Sequence, residues 1–374
     1  MGTEALEKIF LYWLCHLPDA GALQIRRIGE AAGSFQQAYY IEGTQLWKKG
    51  IFKKEENALR FDAWKGEFSR LEEEYYKLSE KGIYFITPLD EEYPRRLYSV
   101  YDYPLGLYVK GSLPKEDKAT AAVIGARNCT AYGREAAGYM AKELAAAGIQ
   151  IISGMAWGID SYAHEGALKA DGDTFAVLGC GVDVCYPAGQ RHLYECLKEK
   201  GGILSEQPPG RPPLAGFFPA RNRIISALSD LVLVVEAREK SGSLITADFA
   251  LEQGKDVWAV PGRLGDELSR GCLNLLKQGA GLADRPDTIL EALGIQKEKI
   301  VLTQKDTKIL LAKEEDIVYS WIRLQPAGLE DLIAKTGFPA SRVLSVLTGL
   351  ELKGLIREVQ KNHYVRTDLK ITDG

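Results

Sequence analysis

The sequence predicts an α/β protein with a parallel β-sheet covered by helices on both faces, a small helical region before it and a winged helix after it. Three observations support this fold. Between residues 119 and 293, short apolar runs alternate with helical patterns, which is typical of parallel strands buried on both faces. Residues 1–80 have helical periodicity. Residues 316–366 contain three short helical patterns and then a hairpin pattern.

The N-terminal region, residues 1–80, is predicted to be a helical domain. Apolar residues from Leu6 to Trp13 recur at the three- and four-residue spacing of an amphipathic helix, and a Pro-Asp-Ala-Gly break follows. Residues 55–81 predict one long charged helix, with apolar positions that include Leu59, Leu71 and Leu78. Small helical units of this kind either pack against the rest of a protein or bind nucleic acid or protein. The residues favour neither role.

Five apolar runs predict the strands of the central sheet. They cover residues 121–124, 149–152, 175–178, 231–235 and 257–260. Ligands of open α/β sheets bind at the carboxyl ends of the strands. The loops that directly follow these runs are therefore the candidate functional segments.

The loop after the first run, residues 125–133, predicts an anion site. Gly125 allows the backbone to approach a ligand closely, and the following helix start offers unpaired N–H groups. Arg127 adds a donor whose geometry suits phosphate. The alternative is a tight turn that carries an exposed arginine.

The loop after the second run, residues 153–160, repeats this pattern with Ser153 and Gly154. Asp160 and His164 are four residues apart on the next helix and could touch. We expect Asp160 to cap this helix and His164 to be hydrogen-bonded, in preference to a catalytic acid–base pair.

The third loop, residues 179–187, is expected to be a tight turn that shapes the wall of a pocket. A dinucleotide fingerprint would need a third glycine where Val184 stands. No phosphate-binding loop of the Gly-x-x-x-x-Gly-Lys-Ser/Thr type occurs in the sequence. Neither a dinucleotide enzyme nor a nucleoside triphosphatase of that class is favoured.

Residues 240–246 predict a second helix start that binds anions. The segment follows the apolar run at 231–235 and combines a lysine, a glycine and small hydroxyl side chains. Its candidate contacts are Lys240, Ser241, Gly242 and Thr246.

A cationic and aromatic segment, residues 217–226, stands out because the chain as a whole has a formal net charge of −4. No Asp or Glu occurs from residue 207 to residue 229. Pro219 fits near a helix start, and Arg221 and Arg223 are expected to project from its first turn. Phe217 and Phe218 could belong to the core, or one of them could stack on a base, and Phe218 is the expected one. Ion pairing of the arginines with Glu206 or Asp230 is the alternative.

Composition favours a cytoplasmic protein without cofactor or metal. Hydrophobic residues make up 46% of the chain and charged residues 26%, as in ordinary soluble proteins. No apolar run reaches the ~18 residues of a membrane span, and the N-terminus lacks the basic region of a secretory signal. The six cysteines have no Cys-x-x-Cys spacing, so reduced thiols are expected.

The C-terminal region is expected to be a winged helix, residues 316–374, after a polar linker, residues 295–315. From Asp316 onward, 8 basic residues against 7 acidic ones give a net charge of +1. That balance is weak support for duplex DNA binding, and a protein-docking role is equally compatible with it.

Taken in order, these motifs resemble those of the DNA-processing protein A family (DprA, also called Smf). The resemblance is dense over residues 82–293. Trp157 departs from it, because many members carry arginine or another polar residue there. The matching stretches are Val123–Arg127, Ser153–Asp160, Gly179–Asp183, Phe218–Ile225, Ser241–Ala247 and Val260–Gly262.

The resemblance implies an extended Rossmann-like DNA-binding core at residues 81–294, after an N-terminal domain similar to SAM or helix-hairpin-helix domains. It also implies a non-enzymatic protein that binds single-stranded DNA, protects it and helps load the RecA recombinase during natural transformation, as a homodimer through the core. The residues implied to contact DNA are Gly125, Arg127, Ser153, Gly154, Phe218, Arg221, Asn222, Arg223, Lys240, Ser241, Gly242 and Thr246.

Two other functions stay open. A nucleotide phosphoribohydrolase of the lysine-decarboxylase-like group has a similar sheet, but its Pro-Gly-Gly-x-Gly-Thr loop is not matched, because Arg263 follows Pro261 and Gly262. The other alternative is a protein-docking scaffold that works mainly through the C-terminal domain.

Overall fold

The structure is a computed structural model, and it describes residues 3–295, 313–322 and 326–366. The chain divides into two compact units, Met1–Lys297 and Glu298–Gly374. Most of the predicted linker, residues 296–312, lies outside the described residues.

A nine-stranded sheet forms the centre of the first unit, in the order β1-β2-β6-β5-β4-β3-β7-β8-β9. The seven strands from β6 to β9 in this order are mutually parallel, whereas β2 pairs antiparallel with both β1 and β6. The predicted α/β class with a Rossmann-like core is confirmed. The strands are β1 Tyr84–Ile86, β2 Leu107–Gly111, β3 Thr120–Ile124, β4 Gln150–Ser153, β5 Thr174–Val177, β6 Gly201–Ser205, β7 Leu231–Val234, β8 Asp256–Ala259 and β9 Gly281–Leu282.

The five predicted strands correspond to β3, β4, β5, β7 and β8, with ends that differ by a residue or so. Four strands were not predicted. The strand β6 begins with Gly201 and Gly202, so too little of it is apolar to form a recognisable run. The strands β1 and β9 have three and two residues, and β2 is a mixed segment at the antiparallel side of the sheet.

Helices cover both faces of the sheet because side chains of a strand alternate between its faces. On β3, Val123 packs in one apolar cluster with the helices α7, α8 and α13, and Ile124 packs in another with α10, α11 and α12. Helix α9 packs beside β6. The bounds are α7 Ala131–Ala146, α8 Ile159–Lys169, α9 Arg191–Glu199, α10 Phe217–Ala227, α11 Gly242–Glu252, α12 Arg270–Lys277 and α13 Pro286–Ala292.

Six N-terminal helices precede the sheet. The predicted long helix over residues 55–81 is instead two helices, α5 and α6, separated by a tighter 3₁₀ turn at Lys65–Glu67 that contains Gly66, a poor helix former. As expected, Leu71 and Leu78 are buried, but Leu59 is 61% exposed. The bounds are α1 Thr3–Cys15, α2 Ala22–Ala32, α3 Phe35–Tyr40, α4 Gly43–Lys48, α5 Glu55–Trp64 and α6 Phe68–Lys77.

The N-terminal helices share an apolar cluster with the sheet. Tyr12 of α1 lies edge-on to Phe85 of β1, with ring centroids 4.9 Å apart. The hydroxyl of Tyr108 on β2 lies 3.2 Å from Nε2 of His16. The predicted boundary near residue 80 therefore does not separate two packing units.

The second unit has the predicted winged-helix arrangement of three helices and a β-hairpin. Its three strands are ordered β10-β12-β11, and the short strand β10 was not predicted. Val318, Leu332 and Leu347 are among the buried residues of its own apolar core. The bounds are α14 Lys313–Trp321, β10 Ala327–Gly328, α15 Leu329–Thr336, α16 Ala340–Leu352, β11 Ile356–Gln360 and β12 His363–Arg366.

Three further properties concern the described residues only. None of their helices is both long and apolar enough to cross a membrane. All six cysteines are free thiols. Within the same ranges, no group of three or more His, Cys, Asp or Glu side chains is arranged to hold a metal ion.

Candidate functional site

An open cavity of about 700 Å³ lies at the carboxyl ends of the central strands. It is centred on β3 and β7, neighbours in the sheet that are far apart in sequence, which is the usual ligand position in open α/β sheets. Nine of the twelve candidate residues line it: Gly125, Arg127, Phe218, Arg221, Asn222, Lys240, Ser241, Gly242 and Thr246.

The first two loops are packed directly onto each other. Gly158, before α8, has a φ of 81°, and a Cβ there would lie 2.3 Å from the carbonyl oxygens of Ala126 and Arg127. Only glycine permits so close an approach in this conformation. The carboxyl group of Glu236 holds the other end of the first loop, where it accepts a 2.9 Å hydrogen bond from the backbone N–H of Thr130.

Asp160 is a buried anchor for these loops and not the helix cap that the sequence predicted. The N-cap of α8 is Gly158, and Asp160 lies in the first turn. Its carboxylate accepts hydrogen bonds from the backbone N–H groups of Ala156, Gly154 and Gly125. Burial raises the pKa of Asp160, whereas the positive charge of Arg221 and these hydrogen bonds act to lower it.

His164 is hydrogen-bonded, as expected. Its Nδ1 lies 2.7 Å from the hydroxyl oxygen of Thr174, and its ring is completely buried. Burial, together with the positive charge of Arg221, lowers the pKa of His164 to about 3. The histidine is therefore neutral at physiological pH and belongs to the core beneath the loops.

Two cations line the cavity without a carboxylate partner. Arg127 and Lys240 are exposed, and neither makes a salt bridge with any described residue. The guanidinium of Arg127 lies 5.4 Å from the ring centroid of Phe218. These charges are available to an anionic ligand.

Phe218 is the phenylalanine that lines the cavity. Its ring lies 5.6 Å from that of Tyr186, which comes from the third loop. Phe217 instead lies beneath Arg211, with 5.4 Å between the guanidinium and the ring centroid. The third loop thus contributes Tyr186 to the wall, consistent with the predicted wall-shaping turn.

Arg221 reaches the floor of the cavity but is only 6% exposed. Its Nη1 donates a 2.8 Å hydrogen bond to the carbonyl of Gly154 and another to the carbonyl of Val177. Burial lowers its pKa to about 10, opposed by the negative charge of Asp160. Most of its role is therefore to join helix α10 to the ends of β4 and β5.

Arg223 is not among the residues that line the cavity, where the family resemblance had implied a position facing DNA. Its Nη2 donates to both carboxylate oxygens of Glu206, at 2.7 and 2.8 Å, and its Nε lies 3.4 Å from Asp102. Residues two positions apart lie on opposite sides of a helix, so Arg221 and Arg223 cannot project towards one ligand. The alternative of ion pairing with Glu206 was the correct one.

Ser153 and Gly154 also lie outside the main cavity. The hydroxyl of Ser153 is completely buried and donates a 2.7 Å hydrogen bond to the carbonyl of Val123, so it is not available to a phosphate. Gly154 lines a smaller cavity of about 30 Å³ beside the main one, where its carbonyl accepts from Arg221. Both residues hold the loop in place.

The start of α11 forms the opposite wall. Ser241 is its N-cap, and its hydroxyl accepts from the backbone N–H of Ser243. Asn222 donates a 3.3 Å hydrogen bond from its side chain to the carbonyl of Gly242, which joins α10 to this helix start. Four further residues line the cavity and were not predicted as contacts: Arg238, and three residues of the predicted loops, Asn128, Tyr186 and Ser243.

This arrangement suits a ligand with both anionic and aromatic groups. Helix α11 begins at the cavity, and the positive end of its dipole adds to Arg127 and Lys240. Phe218 and Tyr186 offer ring surfaces beside these charges. Asp160 is the one carboxylate among the described residues that line the cavity, and it is already bound by backbone N–H groups.

Comparisons with known proteins agree with this architecture. The family model of DNA recombination-mediator protein A matches residues 84–294, and the model of the DprA winged helix domain matches residues 304–360. Protein Smf of Escherichia coli K12 is 40% identical over 295 residues, which cover 77% of this chain and 78% of Smf. DNA processing protein DprA of Bacillus subtilis is 42% identical over 215 residues, covering 57% of this chain and 72% of that protein.

Two solved structures are also similar. The crystal structure of DNA processing protein A from Streptococcus pneumoniae has a TM-score of 0.67 at 33% identity, and the match covers 76% of this chain and 97% of that one. The structure of DNA processing protein A from Helicobacter pylori, studied for its single-stranded DNA binding mode, has a TM-score of 0.52 at 32% identity. That match covers 56% of this chain and 95% of the other.

Proposed function

The chain belongs to the family of DNA recombination-mediator protein A, and from that premise we propose that it binds single-stranded DNA in the cavity at β3 and β7. The phosphates lie against Arg127, Lys240 and the start of α11. A base stacks on Phe218. The related Helicobacter pylori protein, whose binding mode for single-stranded DNA has been studied, supports the choice of ligand.

The observation that carries the proposal is that cations without a carboxylate partner and an aromatic ring line the same cavity. Arg127 lies over the Phe218 ring at 5.4 Å, so a charge that attracts phosphate stands next to a surface that attracts a base. Stacking on an aromatic side chain needs a base whose face is free, as in a single strand. Base pairs inside a duplex do not offer that face.

Binding rather than catalysis is proposed for this cavity. Its carboxylate, Asp160, is bound by the backbone N–H groups of three loop residues and is charge-balanced by Arg221. A carboxylate held in this way positions the loops and is poorly placed to act on a substrate. The phosphoribohydrolase alternative has no observation of its own in its favour.

The proposed roles beyond DNA binding rest on family membership alone. We propose that the protein protects single-stranded DNA, assists RecA loading and works as a homodimer through the nine-stranded core. We also propose that it acts in natural transformation in the cytoplasm. The DNA-binding step is the part that the cavity itself supports.

The test is fluorescence anisotropy of the full chain with labelled single-stranded and duplex oligonucleotides across a salt series. We expect tighter binding of the single strand. The logarithm of the association constant should fall linearly with the logarithm of salt concentration, with a slope of about −0.7 per phosphate contact.

Equal affinity for duplex and single strand, or binding that does not depend on salt, would contradict the proposed site. A nucleoside monophosphate added as competitor provides the control for the enzymatic alternative. If the monophosphate displaces the oligonucleotide and is hydrolysed, the cavity is an active site and the binding proposal fails.

A further inference from the structure

Trp157 is an exposed aromatic side chain that neither the fold nor the site described so far requires. Its indole is 51% exposed, although the same unit buries Trp13 completely. Leaving a large apolar side chain in water forgoes the stabilisation of about 1.5–3 kcal/mol that full burial of a large apolar side chain brings. An exposed tryptophan beside a binding cavity is therefore a candidate contact.

The position of Trp157 connects it with the aromatic wall of the site. It lies on the loop between β4 and α8 and lines the smaller cavity of about 30 Å³. Arg127, Tyr186 and Phe218 line both this smaller cavity and the main one. Trp157 therefore shares a cavity with Phe218 and Tyr186, the two aromatic residues of the main site.

The edge of the indole ring also lies close to the backbone of Gly189. A Cβ on Gly189 would lie 3.0 Å from Cη2 and Cζ2 of Trp157, which is a tight contact. Glycine at this position lets the edge of the ring rest directly on the backbone. The backbone at Gly189 thereby restricts the ring while Trp157 stays 51% exposed, so little side-chain freedom is lost when a flat group binds to it.

We propose that Trp157 is a second base-stacking platform, which holds a base adjacent to the one on Phe218. The inference rests on the proposed binding of single-stranded DNA and identifies a contact of that site. Every base has a face that can stack, so the contact adds affinity without sequence preference.

The surroundings of Trp157 favour a nucleic acid over a protein partner. Arg127, an exposed cation without a carboxylate partner among the described residues, lines the same small cavity as Trp157. A protein partner that covered both residues would have to supply a carboxylate of its own, because burying an unpaired charge is costly. An alternation of cation and aromatic surface matches the alternation of phosphate and base along a single strand.

The test combines anisotropy with intrinsic fluorescence, using the full chain and an oligothymidylate. Because indole emission is quenched by a stacked base, wild-type emission should fall on binding, and Trp157→Phe should lose that fall while keeping its affinity. Trp157→Ala should bind about 5- to 150-fold more weakly. Its salt dependence should be unchanged, since no phosphate contact is removed.

The matched control is Trp47→Ala, which removes another exposed indole, 37% exposed, from helix α4 of the same unit. It should keep both the affinity and the quench. If Trp157→Ala binds like the wild type, Trp157 is not a DNA contact and the inference is wrong, while the proposed cavity stands. If the wild type itself does not bind the oligonucleotide, the proposed function is wrong, and the inference that rests on it is wrong as well.

Discussion

Two exposed cations of the cavity and two of the winged-helix unit differ in whether a carboxylate already neutralises them. In the cavity, Arg127 and Lys240 have no salt-bridge partner among the described residues. In the winged-helix unit, Nε of Arg342 donates to Glu314 at 2.9 Å, and Nζ of Lys353 donates to Glu315 at 2.7 Å.

The difference shows that the number of basic residues is a poor guide to where an anion binds. A ligand phosphate at Arg342 would have to displace a carboxylate, whereas Arg127 has no carboxylate partner among the described residues to displace. Helix α16, which carries Arg342, instead exposes Leu344 and Leu352. The two regions should therefore respond differently to loss of the same residue type.

The largest effect is expected where a cation is both paired and buried. Replacing Arg223 by Met leaves the carboxylate of Glu206 without its main partner. Removing one partner of a fully buried pair costs about 3–5 kcal/mol of unfolding free energy, and we expect about 2–3 kcal/mol because the Glu206 side chain is 22% exposed. Urea denaturation monitored by circular dichroism measures this loss.

The pH dependence of the Arg223→Met variant shows whether its loss of stability comes from the unpaired carboxylate of Glu206. Burial raises the pKa of Glu206 and Arg223 lowers it, so removing Arg223 raises it further. The folded variant then binds a proton more readily than the unfolded chain, and its stability falls as pH rises through the pKa of Glu206. The difference in unfolding free energy between variant and wild type should shrink towards acidic pH. Adding Glu206→Gln to Arg223→Met should restore part of the lost unfolding free energy. A deficit independent of pH would contradict the account.

The next effect concerns binding at the cavity. Arg127→Ala should weaken single-strand binding about 10- to 30-fold, because a charge-assisted hydrogen bond to phosphate is lost. Stability should hardly change, since Arg127 is exposed. Arg27→Ala is the matched control, because Arg27 is exposed on the N-terminal helix α2 and makes no salt bridge with a described residue. Equal losses in the two variants would show a general charge effect and no specific site.

Much of the fold could be predicted because burial on both faces leaves apolar runs in the sequence. The same reasoning missed β6, whose first two residues are glycines paired with β2 and β5. The loops of the site were found because glycine and hydroxyl side chains at strand ends are local signals. The separate roles of Arg221 and Arg223 could not be assigned, because they depend on Gly154 and Glu206, which approach α10 only in the folded chain.

Lys240→Ala should have a smaller effect than Arg127→Ala. The ammonium of Lys240 is an exposed point charge, and such pairs contribute less than about 1 kcal/mol, so we expect a loss of about two- to fivefold in single-strand affinity. Lys169→Ala, an exposed lysine at the far end of α8, provides the control in the same anisotropy assay. A Lys240 effect larger than that of Arg127 would reverse the assigned order of contacts.

The smallest effect is expected in the winged-helix unit. Arg342→Ala removes an exposed cation that is already paired with Glu314, so affinity for single-stranded DNA should be unchanged. The anisotropy assay used for Arg127→Ala measures it under identical conditions. A loss as large as that of Arg127→Ala would mean that the winged helix carries part of the binding, and the contrast between the two regions would not hold.

The most direct test of the cavity as the phosphate site is the salt dependence of the Arg127→Ala/Lys240→Ala double variant. Each phosphate contact contributes about 0.7 to the slope of log K against log salt, so losing two contacts should reduce the magnitude of the slope by about 1.4 relative to wild type. Arg342→Ala should give a line parallel to that of the wild type. A double variant whose line is also parallel to wild type would contradict the assignment of these cations to phosphate binding.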